Sequence, residues 1–481
     1  MENPLTQIQE KVADARGMRT SRGASAGRSA RRSSRRRRQP FVQRVTSQWW
    51  DRLLSAVYSG SFSRQDEQYG SHETKRDYLW NSVGMGIWGS QFPILTIVAT
   101  QLAGVELAGM FSMAFVTANL LLYVGNYGVR TYQVSDIDED HSFNDYQLHR
   151  ALTCVVMLLV GWLYGHVRGY GATMSLICLG CYLYRATDAL ADVYEGRLQQ
   201  MDKLYLAGIS QMLRVVASTI AFAVTLFVSR SVGAASVAMA VGSAALVVIV
   251  SIPMAKFETE RSMRLKLKEV VAIFRKCAPL FAALFLYSLV DNIPKFVMEG
   301  ILSYDNQLYC NVMYFPAHAI VMATGIIYKP QLVRLTNIWN DPNQRGRFNV
   351  VIAAMCGVIA LITAVVAGFM GWLGIPILSF LYGVDFEQFR PLVLLMVLSG
   401  GFSAAIEFFC QIIAVLRQQL SILPLYLVGL VVALVASNVL INALGLAGTV
   451  YTYISVTALL VVMLVARYVS IWRRLSRRFS L

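Results

Sequence analysis

From Tyr78 to Tyr468 the chain is a succession of apolar runs separated by short polar breaks. A bilayer core of roughly 30 Å is crossed by about 20 residues of helix. The pattern predicts twelve membrane-spanning helices, over residues 78–101, 106–128, 150–167, 170–190, 204–228, 232–253, 277–300, 306–328, 349–372, 388–414, 421–443 and 446–468. Between spans six and seven lies the longest charged connection, 254–276. It has a helical pattern carrying Arg261, Arg264, Lys266, Lys268, Arg275 and Lys276. Six spans before this linker and six after it predict a two-lobed, all-α polytopic membrane protein. A faint internal repeat agrees. Phe111-Ser-Met-Ala-Phe115 resembles Asn311-Val-Met-Tyr-Phe315, each early in the second span of its half, and those spans end in Arg130 and Lys329.

The first 77 residues break the pattern. They hold 16 Lys/Arg and 8 Asp/Glu, with the run Arg31-Arg32-Ser33-Ser34-Arg35-Arg36-Arg37-Arg38. No apolar segment follows that run, so it is not a secretory signal peptide. Like charges repel, so the tail is expected to be largely disordered. Phe41–Tyr58, with two Trp, is expected to form a short interfacial helix. The expected organisation is a basic tail (1–77), a first lobe (78–253), the linker (254–276), a second lobe (277–468) and a basic C-terminal tail (469–481).

Composition narrows the class. Only 15% of residues are charged and 56% are hydrophobic, against roughly 25% and 45–50% in soluble domains. Such a chain cannot cover a water-facing surface, which excludes a soluble enzyme, a secreted disulfide scaffold and a disordered regulator. The net charge of +15 suggests nucleic acid in a soluble protein, but topology explains it here. With both termini cytoplasmic and helix ends counted with the nearest loop, 38 of the 43 Lys/Arg fall on the cytoplasmic side. Only Arg168, Arg230 and Arg390 fall outside, as the positive-inside rule requires. No nucleic-acid partner is expected. The Arg-rich tail is expected to meet anionic lipids.

The chemistry is sparse. The seven cysteines lie in or beside apolar stretches, and Cys178-x-x-Cys181 has no His or Cys neighbours, so small apolar packing is expected. Walker A, G-x-S-x-G, H-E-x-x-H and metal-ligand spacings are absent from the sequence, and neither catalysis nor a cofactor or metal is expected. Ionisable residues in spans are costly and mark interiors or water-filled cavities. Arg214 lies about 15 Å along span five. Asp291 and Lys295 stand one turn apart in span seven, with Pro294 between them. Glu407 and Gln411 repeat that spacing in span ten. Arg185, Asp188 and Asp192 line the cytoplasmic end of span four. His166 and His318 are expected only to make hydrogen bonds.

With these residues in view, the chain resembles the polysaccharide flippases of the MATE-like (MOP) exporter superfamily. The resemblance rests on Gly125-Asn-Tyr-Gly-Val-Arg130-Thr-Tyr-Gln-Val-Ser-Asp136, which looks like the Gly-x-Arg-x-x-Gln-x-Ser-Asp segment of O-antigen and capsule flippase-like proteins. Tyr146-Gln-Leu-His-Arg150, Tyr194-Glu-Gly-Arg-Leu-Gln-Gln-Met-Asp-Lys203 and Asp291-Asn-Ile-Pro-Lys295 are similar too. It covers residues 78–468; the basic tail lies outside it. The resemblance implies two six-helix lobes around a central cavity, and a polyprenyl-diphosphate-linked oligosaccharide moved from the cytoplasmic to the outer leaflet of a bacterial inner membrane. Polysaccharide synthesis enzymes are further candidate partners. A diphosphate crossing lipid needs compensating cations. By depth, Arg214 and Lys295 are the candidates for the cavity, with Arg130, Arg185 and Lys329 at its cytoplasmic entrance. Asp291, Glu407, Gln411 and Asp188 are candidates for ion coupling or charge balance. The alternatives are a multidrug or cation antiporter of the same superfamily, a membrane polymerase or ligase (disfavoured by the short outer loops), and a scaffold that recruits a synthesis complex through its tail.

Overall fold

The computed structural model describes residues 73–136, 139–259, 264–329, single positions within 332–339, and 345–479. Every described residue falls in one compact unit, His72–Leu481. Residues 1–72 of the expected N-terminal tail, with the expected helix at Phe41–Tyr58, lie outside the described residues, and its last five residues, 73–77, begin the first described helix. The described residues are helical and contain no strand.

The first lobe consists of α1 (Glu73–Ala103), α2 (Val105–Asn126), the short α3 (Val129–Ser135), α4 (Phe143–Arg168), α5 (Ala172–Gln200), α6 (Leu204–Ser229) and α7 (Val232–Leu246). A π-helical turn at Val247–Ser251 joins α7 to α8 (Ile252–Glu258). The second lobe begins with α9 (Leu267–Glu299), followed by α10 (Tyr304–Tyr328), α11 (Arg345–Phe369), α12 (Ile375–Tyr382), α13 (Arg390–Val415), α14 (Leu423–Leu444) and α15 (Leu446–Phe479). Another π-helical turn, Met370–Gly374, carries α11 into α12.

Eleven of the long described helices are long and apolar enough to cross a membrane. The twelfth predicted position is taken by α5, whose 29 residues include Arg185, Asp188, Asp192, Glu195 and Arg197. Those charges lower its mean hydropathy. Their side chains are nonetheless mostly enclosed by neighbouring helices, which is where polar groups in a membrane fold belong. The second half of the linker is helical and continuous with span seven. Pro294, which cannot donate to the backbone ladder, sits inside α9 together with Pro279, and the helix runs through both.

The repeat faint in the sequence is plain in the packing. In the first lobe α1 packs on α6, α5 on α7, α6 on α7, α2 on α5 and α4 on α5. The second lobe repeats each pairing at the equivalent place: α9 on α14, α13 on α15, α14 on α15, α10 on α13 and α11 on α13. The lobes meet where α2 lies against α10. Asn311 donates there from Nδ2 to Ser112 Oγ at 2.9 Å, so the two similar segments touch each other. This is the arrangement of two like-oriented repeats about an axis along the membrane normal.

Small residues set the tightest crossing. A Cβ on Gly84 of α1 would lie 2.7 Å from the Gly208 carbonyl oxygen of α6, and one on Gly208 would lie 2.5 Å from that of Trp80. The backbones touch, as small residues permit in membrane helices. Gly208→Val is expected to push these helices apart and cost about 1–3 kcal/mol. The check is the thermal transition of the detergent-solubilised protein, where an unchanged midpoint contradicts the packing.

Candidate functional site

The α2 helix ends in two consecutive left-handed residues, Tyr127 (φ 50°) and Gly128 (φ 67°). Glycine adopts that conformation at no steric cost, and Tyr127 is held by stacking on Phe281 at 4.4 Å. The turn places Arg130 at the start of α3. Its guanidinium donates to Asp192 at 2.7 Å and to Gln199 Oε1 at 3.1 Å, with Glu195 at 3.7 Å.

Arg130 is the outer member of a buried charge cluster. Arg150 of α4 donates to Asp192 at 2.7 Å and to the Gly125 carbonyl at 2.8 Å. Arg185 donates to Asp188 at 2.7 Å. Arg214 of α6 is clasped by Asp188 at 2.6 Å and Glu195 at 2.5 Å. The Trp88 indole of α1 also donates to Asp188, at 3.1 Å. Four arginines thus face three carboxylates, and the cluster carries one excess positive charge. The Arg185 guanidinium lies 4.6 Å from the Phe115 ring centre and 5.2 Å from that of Trp88, at cation–π range. Phe115 stacks on Phe92, which meets Phe315 of the second lobe edge-on. The cluster therefore lies one aromatic layer behind the lobe interface.

Arg214, expected to look into a cavity, is 2% exposed and closed in by its two carboxylates. Arg130 keeps 31% of its side chain exposed. The other residues of the motif knit the local structure. Gln133 donates to the Val193 carbonyl at 3.0 Å, and Asp136 accepts the Tyr146 hydroxyl at 2.8 Å.

The second lobe has its own polar centre. The Asp291 carboxylate accepts the Tyr314 hydroxyl at 3.1 Å. The Lys295 ammonium lies 4.5 Å from the centre of the Tyr314 ring and 5.9 Å from that of Tyr453. The two charges expected to pair along the helix are thus joined through one tyrosine of α10. Asp291 and Tyr453 also line a small pocket, of about one water's size, between α9, α13 and α15. His318, one turn from Tyr314, has its ring tilted against it at 6.2 Å. Glu407 pairs with Lys329 at 3.3 Å, with 27% and 49% of their side chains exposed. Gln411, one turn further, is half-buried. The Lys329–Glu407 pair joins α10 to α13 as the Arg130–Asp192 pair joins the end of the second span to α5. The repeat therefore extends to a cation–acid pair in each lobe. Arg214 and Lys295 belong to different lobes and to separate clusters.

Sequence reasoning passed over Arg150, Glu195 and Trp88 as members of the cluster. The spacing of Arg185, Asp188, Asp192 and Glu195, by three, four and three, puts all four on one helix face and is the signal that was available. Cys178 and Cys181 are free thiols buried in α5. Among the described residues no group of three or more His, Cys, Asp or Glu is placed to hold a metal ion.

No family model and no curated protein matches the sequence. Solved structures do. The Vibrio cholerae MATE transporter VcmN in its bent form is 14% identical, with 84% of this chain and 98% of that one covered and a TM-score of 0.56. The inward-facing form of a multidrug resistance MATE family transporter of the MOP superfamily is 11% identical, covering 80% and 96%, at a TM-score of 0.59. The fold is that of the MATE transporters. A third structure of the MATE/MOP fold, a Pyrococcus furiosus MOP superfamily transporter, is 12% identical over 83% and 96% of the chains, with a TM-score of 0.55. The binding pocket of that transporter has reversed polarity. The chain is thus a multi-pass membrane protein with the two-lobed MATE architecture.

Proposed function

We propose that this protein moves an anionic, lipid-linked cargo, a polyprenyl-diphosphate oligosaccharide, from the cytoplasmic to the outer leaflet for cell-surface polysaccharide synthesis. The observation that carries the reading is the excess arginine in the first lobe. Four guanidiniums share three carboxylates, so every arginine is paired but the cluster keeps one positive charge more than its acids balance. In a low-dielectric lobe such a charge favours an anion. Guanidinium groups match phosphate oxygens in a planar, two-pronged geometry. The more exposed Arg130 is the point of first contact, and Lys329 faces the same stage of entry from the other lobe. Lys295 meets the cargo deeper, and Arg185 and Arg214 set the field behind Arg130. Asp188, Asp291, Glu407 and Gln411 balance these cations or bind a coupling ion. The basic tail holds the protein near anionic lipids and synthesis enzymes.

The rival reading, a multidrug antiporter, is supported by the inward-facing neighbour, a multidrug resistance transporter. A cationic drug calls for an acidic pocket, and the arginine excess weighs against it. The test is deletion of the gene in its host, with lipid-linked oligosaccharide and surface polysaccharide measured together. The expected result is loss of surface polymer and accumulation of the lipid-linked unit on the cytoplasmic leaflet. Unchanged surface polymer with altered drug susceptibility contradicts the proposal and supports the rival.

A further inference from the structure

Described hydrogen bonds join the first lobe to the second-lobe helices at three levels: beside the basic connections, where Lys276 of α9 donates to the Tyr132 hydroxyl at 2.9 Å, at Asn311 and Ser112, and at the far end of the molecule. This far end is the one opposite the basic connections, where α1 meets α2, α4 meets α5, α9 meets α10 and α12 meets α13. Two junctions stand there. In the first, Glu299, the last residue of α9, reaches the first lobe. Its carboxylate accepts the Tyr164 hydroxyl at 3.0 Å, Arg168 NH2 at 2.6 Å, Arg168 Nε at 3.2 Å and the Tyr170 hydroxyl at 2.5 Å. Arg168 also donates to the Phe296 carbonyl at 3.2 Å. The Glu299 side chain is only 3% exposed. In the second junction Gln101 donates to the Leu381 carbonyl at 2.8 Å. The Tyr382 hydroxyl donates to the Pro93 carbonyl at 3.2 Å and lies 3.0 Å from Thr96 Oγ1.

The packing repeat relates these junctions. The first joins the connection between spans three and four to that between spans seven and eight. The second joins the connection between spans one and two to that between spans nine and ten. A six-span shift turns one pairing into the other. They occupy equivalent places and differ in chemistry: one is a buried carboxylate under four charge-assisted or phenolic hydrogen bonds, the other is neutral. Charge-assisted bonds are roughly twice as strong as neutral ones. A carboxylate stripped of its donors in a buried place is especially costly.

We infer that Glu299 with Arg168, Tyr164 and Tyr170 is a one-sided ionic latch. It holds the lobes together at the face opposite the basic connections, and its release limits opening on that face, while the Tyr382 junction acts as the neutral pivot. This rests on the transporter reading for its purpose but not for its test, which needs no cargo.

The experiment is a spin-label distance measurement between the lobes in the full-length protein without cargo. Ser229 and Ala443, both exposed at that face on different lobes, are replaced by cysteine. The two partly exposed cysteines, Cys356 and Cys410, are replaced by serine, the other five being buried. Glu299→Gln and Arg168→Ala are each expected to add a longer-distance component, raising the open-to-closed ratio at least about tenfold, as loss of a buried charge-assisted bond allows. Tyr382→Phe is expected to change that ratio less than about threefold, as loss of a neutral bond allows. Arg168 is partly exposed, so its variant tests the latch even where a Glu299 variant fails to fold. Unchanged distances in Arg168→Ala, or an equal shift in Tyr382→Phe, overturn the inference whatever the protein transports.

Discussion

Arg214→Met is expected to remove most of the protein from the membrane fraction. The guanidinium lies between Asp188 and Glu195 at 2.6 and 2.5 Å and is 2% exposed. Removing it strands negative charge in the lobe interior. Breaking a buried pair in this way costs about 3–5 kcal/mol, a large share of the stability of any domain. Asp188 retains Arg185, whereas Glu195 retains only the more distant Arg130 and the Ser210 hydroxyl. The double variant Arg214→Met with Glu195→Gln removes one charge of each sign and is expected to recover most of the lost protein. Membrane protein level and thermal midpoint check both outcomes. Normal amounts of the single variant would mean that Arg214 is not the electrostatic keystone of the lobe.

Arg130→Ala is expected to act in the opposite sense, with transport lost and protein retained. Asp192 keeps its second partner, Arg150, at 2.7 Å, so no buried acid is abandoned. The cluster becomes neutral, and its most exposed cation is gone. Loss of one charge-assisted contact to a phosphate reduces transport about 10- to 100-fold. Arg130→Lys keeps the charge but not the planar fork, and recovers only part of the rate. Surface polymer formed by a deletion strain complemented with each variant, at matched protein level, is the readout. Full complementation by Arg130→Ala removes Arg130 from the cargo path.

The contrast between these two arginines marks what the sequence made legible. Helix positions followed from apolar run length, because lipid permits little besides helix at that depth. Depth along a span also identified Arg214 as a residue in need of explanation. Its partners were not legible, because they lie on another helix 19 and 26 positions earlier. Pairing along one helix was legible by spacing for Asp291 with Lys295 and for Glu407 with Gln411. In both cases another segment supplies the contact: Tyr314 of α10 links the first pair, and Lys329, just past the end of α10, pairs with Glu407. Hydropathy alone understates α5 as a span because the charged face that builds the first-lobe cluster is on it. The Glu299 junction joins residues 131 apart, and its four donors and acceptors are unremarkable in sequence. Only the folded arrangement brings them together.

The most direct measurement reconstitutes the purified full-length protein in liposomes and follows the transbilayer movement of a polyprenyl-diphosphate oligosaccharide, alongside uptake of a cationic dye. The account predicts movement of the diphosphate lipid that falls in Arg130→Ala, with no dye uptake above protein-free liposomes. Dye uptake without movement of the diphosphate lipid would contradict it.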